Sequence, residues 1–201
     1  MLKNVLRVML VGSLALGLAS CASKTTVSRV DTDSVQDLSG SWNDTDSRLV
    51  SSRMVNDVLS QKWLTKFQVQ YGKNPVMIVG DVRNLSHEHI NTRTFISDLE
   101  RELINSGEVE FVASSDERNE VRGEREDQAI NASEETRNAA GMETGADFML
   151  KGQINTIFDA AVDMQVKYYQ IDLTLISMKD NKKVWVGQKK IKKVIEKGSF
   201  R

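Results

Sequence analysis

The sequence predicts an α+β fold, with a small mixed or antiparallel sheet flanked by helices and preceded by a disordered tether. Three observations lead to this class. Apolar residues recur at helical spacing in the first half of the chain, and short apolar runs between turn residues indicate buried strands. In the last third, several segments alternate apolar and polar residues, which indicates a strand meander. A mixed order of helices and strands that ends in consecutive strands is typical of α+β domains.

Residues 1–20 have the pattern of an export signal. Lys3 and Arg7 precede an apolar run from Val8 to Ala19, which is too short for a membrane-spanning helix. The run ends in Leu18-Ala19-Ser20-Cys21, where small residues precede a cysteine as they do in bacterial lipoprotein signals. We therefore predict cleavage before Cys21 and acylation of its sulfur. A plain secretory peptide cut at the same place and an uncleaved signal anchor are the alternatives.

Cys21 is the single cysteine of the chain, so an intrachain disulfide is excluded. Two or three acyl chains, at about 0.8 kcal/mol per buried methylene, make a stable membrane anchor. The next residue is Ala22, not the aspartate that favours retention in the inner membrane. We therefore expect anchoring in the outer membrane, with the domain facing the periplasm.

A tether is predicted over residues 21–46, because Ser, Thr, Asp and Gly dominate there and the apolar residues follow no period. About 25 residues of flexible coil have a root-mean-square span of about 25 to 30 Å. Residues 47–201 are predicted to form one globular domain. The net charge is only −1, but nine basic and two acidic residues lie between Lys179 and Arg201. This favours a local cationic patch and not a chain-wide field, and no nucleic-acid partner is expected.

Each element of the domain is predicted from its own pattern. Residues 48–66 carry apolar residues at helical spacing, so they predict an amphipathic helix whose stripe faces the core or, alternatively, a partner. "VMIVGDV" after Pro75 predicts a buried strand. A second helix is predicted to begin after Asn91 or Thr92 and to end at Gly107. "VEFVASS" then predicts a second strand.

The remaining elements are a helical part and a strand meander. Residues 116–127 are mostly charged and predict a solvated helix capped by Ser115, and a short helix is predicted over residues 133–140. Phe148, Leu150 and Ile154 alternate with polar residues, as do the apolar residues between Tyr169 and Leu175, and each set predicts a strand. The turn "KDNKK" and the strand "VWVGQKKI" complete the meander.

Both histidines of the chain lie in "SHEH", at His87 and His89. In an extended segment their side chains would share one side, as two metal ligands can, while Glu88 would point away. A third ligand is not signalled nearby, so we interpret the segment as a strand-to-helix connection and expect no metal and no cofactor. The chain also has no G-x-S-x-G motif, no phosphate-binding glycine loop and no evident pair of catalytic carboxylates.

Several ordered blocks, "VGDVRNLSHEHINTRTFISDLERELINSGEVEFV", "GEREDQ" and "GADFMLKGQINT", resemble LpoB-type outer-membrane lipoproteins, which activate penicillin-binding proteins. The resemblance extends over about residues 40 to 197. It implies a fold similar to the N-terminal domain of TolB. It also implies docking onto a bifunctional class A peptidoglycan synthase of the inner membrane, stimulation of glycan polymerisation and crosslinking, and no enzymatic activity of its own.

Six residues are candidates for partner binding, with solvation as the alternative for each: Arg83, Asn84, Glu124, Arg125, Glu126 and Tyr168. The protein is expected to be monomeric. Two other function classes stay open. One is a structural or secretion-associated periplasmic lipoprotein with a similar domain and no synthase partner, and the other is a periplasmic enzyme, which the lack of a catalytic constellation disfavours.

Overall fold

The computed structural model describes residues 25–138 and 140–196. Cys21 and the predicted signal sequence lie outside these residues. The elements follow in the order α1 Asp44–Leu59, α2 Lys62–Tyr71, β1 Val76–Asn84, α3 Thr92–Asn105, β2 Glu110–Phe111, α4 Ser115–Asn131, β3 Phe148–Ala160, β4 Met164–Ser177 and β5 Lys183–Glu196. The predicted α+β class is confirmed. Within the described ranges, no helix combines the length and the apolar character needed to cross a membrane.

The five strands form one mixed sheet in the order β2-β1-β3-β4-β5. β1 pairs in parallel with β2 and β3, whereas β3, β4 and β5 form the predicted antiparallel meander. Parallel neighbours need a crossover connection, and α3 supplies it between β1 and β2. The register of β1 against β3 shifts between Val79 and Val82. The predicted second strand is reduced to the two residues of β2.

Helices α1, α2 and α3 cover one face of the sheet and enclose the core. Each contributes buried apolar residues, such as Met54 from α1, Phe67 from α2 and Leu99 from α3. The predicted alternation in the meander is confirmed, because these residues of β3 and β4 are all buried: Phe148, Leu150, Ile154, Tyr169, Ile171, Leu173 and Leu175. The apolar stripe of α1 faces this core.

The predicted single helix over residues 48–66 is wrong in its bounds, since the segment forms two helices. α1 begins four residues earlier than predicted because Asn43 and Asp46 form a capping box, in which each side chain bonds the other's backbone N–H. The helix ends at Leu59, and Trp63 at the start of α2 donates its indole N–H to the carbonyl of Val58 over 2.7 Å. The break therefore satisfies a carbonyl at the end of α1 while placing Trp63 in the core.

The predicted short helix over residues 133–140 is also wrong for the described part of that segment. Turns replace it, and α4 ends at Asn131 with an extended residue after it. Residues 133–138 are all exposed. A segment this short gains little from propensity alone and needs a buried face to stay helical.

The chain divides into two compact units, residues 1–34 and residues 35–201. In the first, residues 25–34 are mostly exposed and contain a turn in which Ser34 bonds the carbonyl of Asp31. The second unit includes residues 35–46, which the sequence assigns to the tether. In that stretch Trp42 packs against the core and Asp46 is buried.

Candidate functional site

The face of the sheet opposite α1, α2 and α3 is uncovered by the described residues over β3, β4 and β5. Strand side chains alternate between faces, and in β5 every second residue from Val186 to Glu196 is exposed. The lengths of the strands and helices explain part of this exposure. Strands of 13 and 14 residues span about 43 to 46 Å, whereas α1, with 16 residues, spans about 24 Å. The meander therefore extends beyond the helix layer.

Apolar side chains gather on this uncovered face near the β3–β4 turn. Ile157 lies opposite Tyr168, and Val166 lies opposite Val194. Together with Met164 on the same face, these five residues are the open-face patch. Ile157 is 66% exposed and Val194 is 55% exposed. A cluster of large apolar side chains in water is typical of a surface that another molecule covers.

Toward the middle of the sheet the same face becomes polar and cationic, whereas Asp159, opposite Val166, and Glu196, opposite Met164, are acidic residues beside the patch. Lys192 is paired with Tyr168, and Lys190 with Gln170, and neither lysine forms an ion pair with another described residue. Further along, the carboxylate of Asp172 accepts hydrogen bonds from Gln188 over 2.8 Å and from Gln170 over 2.9 Å. An apolar centre beside a polar, charged rim is the usual anatomy of a protein interface.

Arg83 lies on this face too, at the far side from β5. It pairs with Gln153 in the register of β1 and β3 and donates to that side chain over 3.1 Å. It lines a shallow depression of about 500 Å³, together with Lys151, Lys183 and Asp172. Arg83 and Tyr168, both predicted as partner-binding residues, therefore share one surface.

Glu88 lies between the two exposed histidines and forms the centre of a polar cluster. It points inward from the loop after β1, and its carboxylate accepts three hydrogen bonds. These come from Lys167 over 2.7 Å, from the hydroxyl of Tyr169 over 2.9 Å and from the backbone N–H of Trp42 over 3.1 Å. Burial by itself would raise the pKa of Glu88, but these donors outweigh it, so the pKa lies below its usual range.

A second lysine completes this polar cluster. Lys193 of β5 donates to Asp37 and Asp46, each over 2.7 Å, and to the carbonyl of Ser41 over 3.2 Å. Its side chain is 11% exposed. Burial would lower the pKa of Lys193, yet the two carboxylates raise it above its ordinary value. We call Glu88, Lys167, Tyr169 and Lys193 the strap anchor, because they hold residues 37–46 across the ends of β4 and β5.

The other predicted site residues fall elsewhere. Asn84 shapes the loop, since it donates to the carbonyl of Glu88 over 2.7 Å and accepts from Ser86. Glu124, Arg125 and Glu126 lie on α4, which has no buried residue. There Arg125 contacts Glu143 over 3.4 Å and Glu124 accepts from Gln128. The structure therefore does not bring the six candidates together.

The two histidines lie in the polar loop between β1 and α3. His87 contacts the hydroxyl of Thr156 through its ring nitrogen over 3.2 Å, and His89 is exposed. Among the described residues no group of three or more His, Cys, Asp or Glu side chains is placed to hold a metal ion.

Sequence reasoning missed the strap anchor and most of the open-face patch. The signal for the strap was Trp42, a large aromatic residue in a segment otherwise rich in Ser, Asp and Gly. The signal for the patch was "TIFDAAVDMQV", a hairpin with apolar residues at both parities. A strand buried on one face needs only one apolar parity.

Comparison with known proteins gives a family match. A family model described as peptidoglycan-synthase activator LpoB matches residues 46–191. None of the curated proteins matches the chain.

The chain also matches parts of several solved structures. The NMR structure of LpoB from E. coli is 15% identical, covers 90% of this chain and 86% of its own, and has a TM-score of 0.41. The C-terminal domain of LpoB from Salmonella enterica is 16% identical over 64% of this chain and 91% of its own, with a TM-score of 0.34. Lipoprotein GNA1162 from Neisseria meningitidis is 11% identical over 61% of this chain and 84% of its own, with a TM-score of 0.39.

Proposed function

The chain belongs to the LpoB family of peptidoglycan-synthase activators, and from this premise we propose that it binds and activates a bifunctional class A penicillin-binding protein. It acts by binding and carries out no catalysis. Acylated Cys21 anchors it to the outer membrane, and the domain works in the periplasm as a monomer. The family match over residues 46–191 carries the proposal.

The open-face patch is the docking surface in this proposal. Each fully buried apolar side chain contributes about 1.5 to 3 kcal/mol relative to an exposed one. Tyr168 adds an aromatic anchor, a residue type that dominates binding energy at interfaces. Lys190 and Lys192 form a cationic rim, so the surface of the synthase that meets them is acidic. Surface charge of this kind speeds association more than it tightens the complex.

Activation requires that the domain bind the active state of the synthase more tightly than the inactive state. A twofold to tenfold stimulation needs a difference of only about 0.4 to 1.4 kcal/mol. One well-packed apolar side chain is enough to supply a difference of that size.

The test is a lipid II polymerisation assay with the cognate synthase and the soluble chain, residues 22–201. Ile157→Ser should abolish most of the stimulation, because it removes an exposed apolar side chain from the docking surface. Ile130→Ser is the matched control, since Ile130 is 82% exposed on α4 and lies outside the patch. Equal stimulation by the two variants would reject the patch. Binding without stimulation by the parent chain would leave a structural role without activation, and no binding to any class A synthase would remove the proposed partner.

The anchor is tested separately. Cys21→Ala should release the protein from the membrane fraction or block removal of the signal. A variant that matures normally and partitions into detergent like the parent would contradict acylation at Cys21.

A further inference from the structure

A cleft of about 690 Å³ lies between α2 and the end of the sheet where β3 begins and β4 turns into β5. We call it the α2 cleft. It belongs to the helix-covered side of the fold. It shares strands with the open-face patch and with the depression beside Arg83, but no lining residue. Its volume falls in the range of about 300 to 1,000 Å³ that is usual for ligand sites.

The wall of the α2 cleft is aromatic. The ring of Phe148 lies 5.0 Å from that of Trp63 and 5.4 Å from that of Phe67, and Phe67 in turn lies 4.6 Å from Tyr71. Trp63, Phe67 and Phe148 are each packed into the core, so the wall that they form is held in place. At the mouth, Tyr71 is 46% exposed and Met178 is 49% exposed, so two large apolar side chains stand at the entrance in contact with water.

The charges of the α2 cleft are unbalanced. Its two acids are already engaged: Asp180 pairs with Lys182 over 2.6 Å, and Asp147 accepts the backbone N–H of Val76 over 2.9 Å. Lys66 and Lys179 also line the cleft, and neither has an ion-pair partner among the described residues. Two free ammonium groups beside an aromatic wall complement an anion attached to an apolar body.

We propose that the α2 cleft binds an acidic peptide segment, in which a carboxylate lies next to an aromatic or large aliphatic side chain. The apolar side chain packs against Phe67, Tyr71 and Met178, and the carboxylate lies between Lys66 and Lys179. A neutral saccharide fits less well, because it would bring no counter-charge to the ammonium groups of Lys66 and Lys179.

The experiment uses the soluble chain, residues 22–201, and two peptides. The first is acetyl-Glu-Leu-Phe with a free carboxyl terminus, and the second is acetyl-Gln-Leu-Phe-amide, which has the same shape without charge. Titration is followed by the backbone amide resonances of Lys66, Tyr71, Phe148 and Lys179. The acid should shift these resonances with a Kd at least tenfold lower than that of the amide, and added salt should narrow this gap.

Two variants and one further ligand sharpen the result. The double variant Lys66→Gln with Lys179→Gln should lose about tenfold in affinity for the acidic peptide, whereas Lys62→Gln, which lies on α2 outside the cleft, should lose less than twofold. Equal affinity for acid and amide, or a Lys62→Gln effect as large as that of the double variant, would overturn the proposal. So would shifts produced only by an acidic disaccharide of glucuronate and N-acetylglucosamine, or no shift at 10 mM peptide.

Discussion

Removal of the Glu88 carboxylate should destabilise the second compact unit by about 3 kcal/mol. In Glu88→Ala, Lys167, the hydroxyl of Tyr169 and the N–H of Trp42 all lose their bond to this carboxylate, although Ser41 and Gly40 still offer acceptors to Lys167 and Tyr169. Hydrogen bonds to charged groups contribute about 1.5 to 3 kcal/mol each, so an intact sum would exceed 4 kcal/mol. The Glu88 side chain is 21% exposed, so water can replace some of the lost hydrogen bonds. We therefore expect about 3 kcal/mol and not the full sum. Glu88→Gln keeps one carbonyl oxygen and should lose about half as much.

The assay is equilibrium unfolding in urea at pH 7, followed by circular dichroism. A loss of 3 kcal/mol corresponds to a fall in Tm of about 6 to 12 °C for a unit of this size. His89→Ala is the control, because His89 is an exposed neighbour, and it should change the free energy of unfolding by less than about 0.5 kcal/mol. In Glu88→Ala, hydrogen exchange at the Trp42 amide should accelerate more than exchange at the amides of β4. A loss below about 1 kcal/mol at an unchanged m-value would refute the anchoring role of Glu88.

Two further predictions follow from the same structure. The pKa of Glu88 is lower in the folded chain than its unfolded value of about 4.3. The stability that the Glu88 carboxylate contributes is therefore fully present above about pH 4.3 and is lost as pH falls through the folded pKa. The gap in stability between the parent and Glu88→Gln should therefore be constant near pH 7 and shrink below about pH 4; a gap unchanged at pH 3 would contradict this. Gly152→Ala should cost about 1 to 3 kcal/mol, because its methyl group would overlap the backbone oxygen of Asp172 and the side chain of Leu173. Gly123→Ala, in the open middle of α4, should instead stabilise by about 0.5 to 1 kcal/mol, and thermal melts that rank the two alike would refute the packing argument.

The fold was predictable from the sequence where a pattern is local and repeated. Alternation in β4 required that one of the neighbouring tyrosines face away from the core, and the structure buries Tyr169 while Tyr168 joins the open face. The division into α1 and α2 was not predictable from apolar spacing, because Leu59 and Trp63 keep the helical spacing across the polar residues Ser60 and Gln61. The capping box at Asn43 and the bond from Trp63 decide the bounds, and both depend on a few specific hydrogen bonds.

The strap anchor was hidden for a different reason. The partners of Glu88 lie 46, 79 and 81 residues away in sequence, so no local motif records them. Lys193 belongs to a cationic run that predicts a solvated strand end, and its neighbours Lys190 and Lys192 are indeed exposed. It is buried only because residues 37–46 fold back over β5, and a segment rich in Ser and Asp gives little sign of doing so.

The strap anchor and the open-face patch use opposite sides of the same short stretch of β4. Lys167 and Tyr169 point to Glu88, while Val166 and Tyr168 point to the uncovered face. Residues 37–46 are also where the chain from Cys21 enters the second unit. Because residues 37–46 are held against the sheet, at most about 15 residues of the proposed tether stay free after Cys21, with a root-mean-square span of about 19 to 23 Å. Hydrogen bonds from Lys167, Tyr169 and Lys193 hold the strap against β4 and β5 on the side opposite the patch. In the proposed activation, a docking surface braced in this way keeps its shape, and a fixed shape is what allows binding to favour one state of a partner over another.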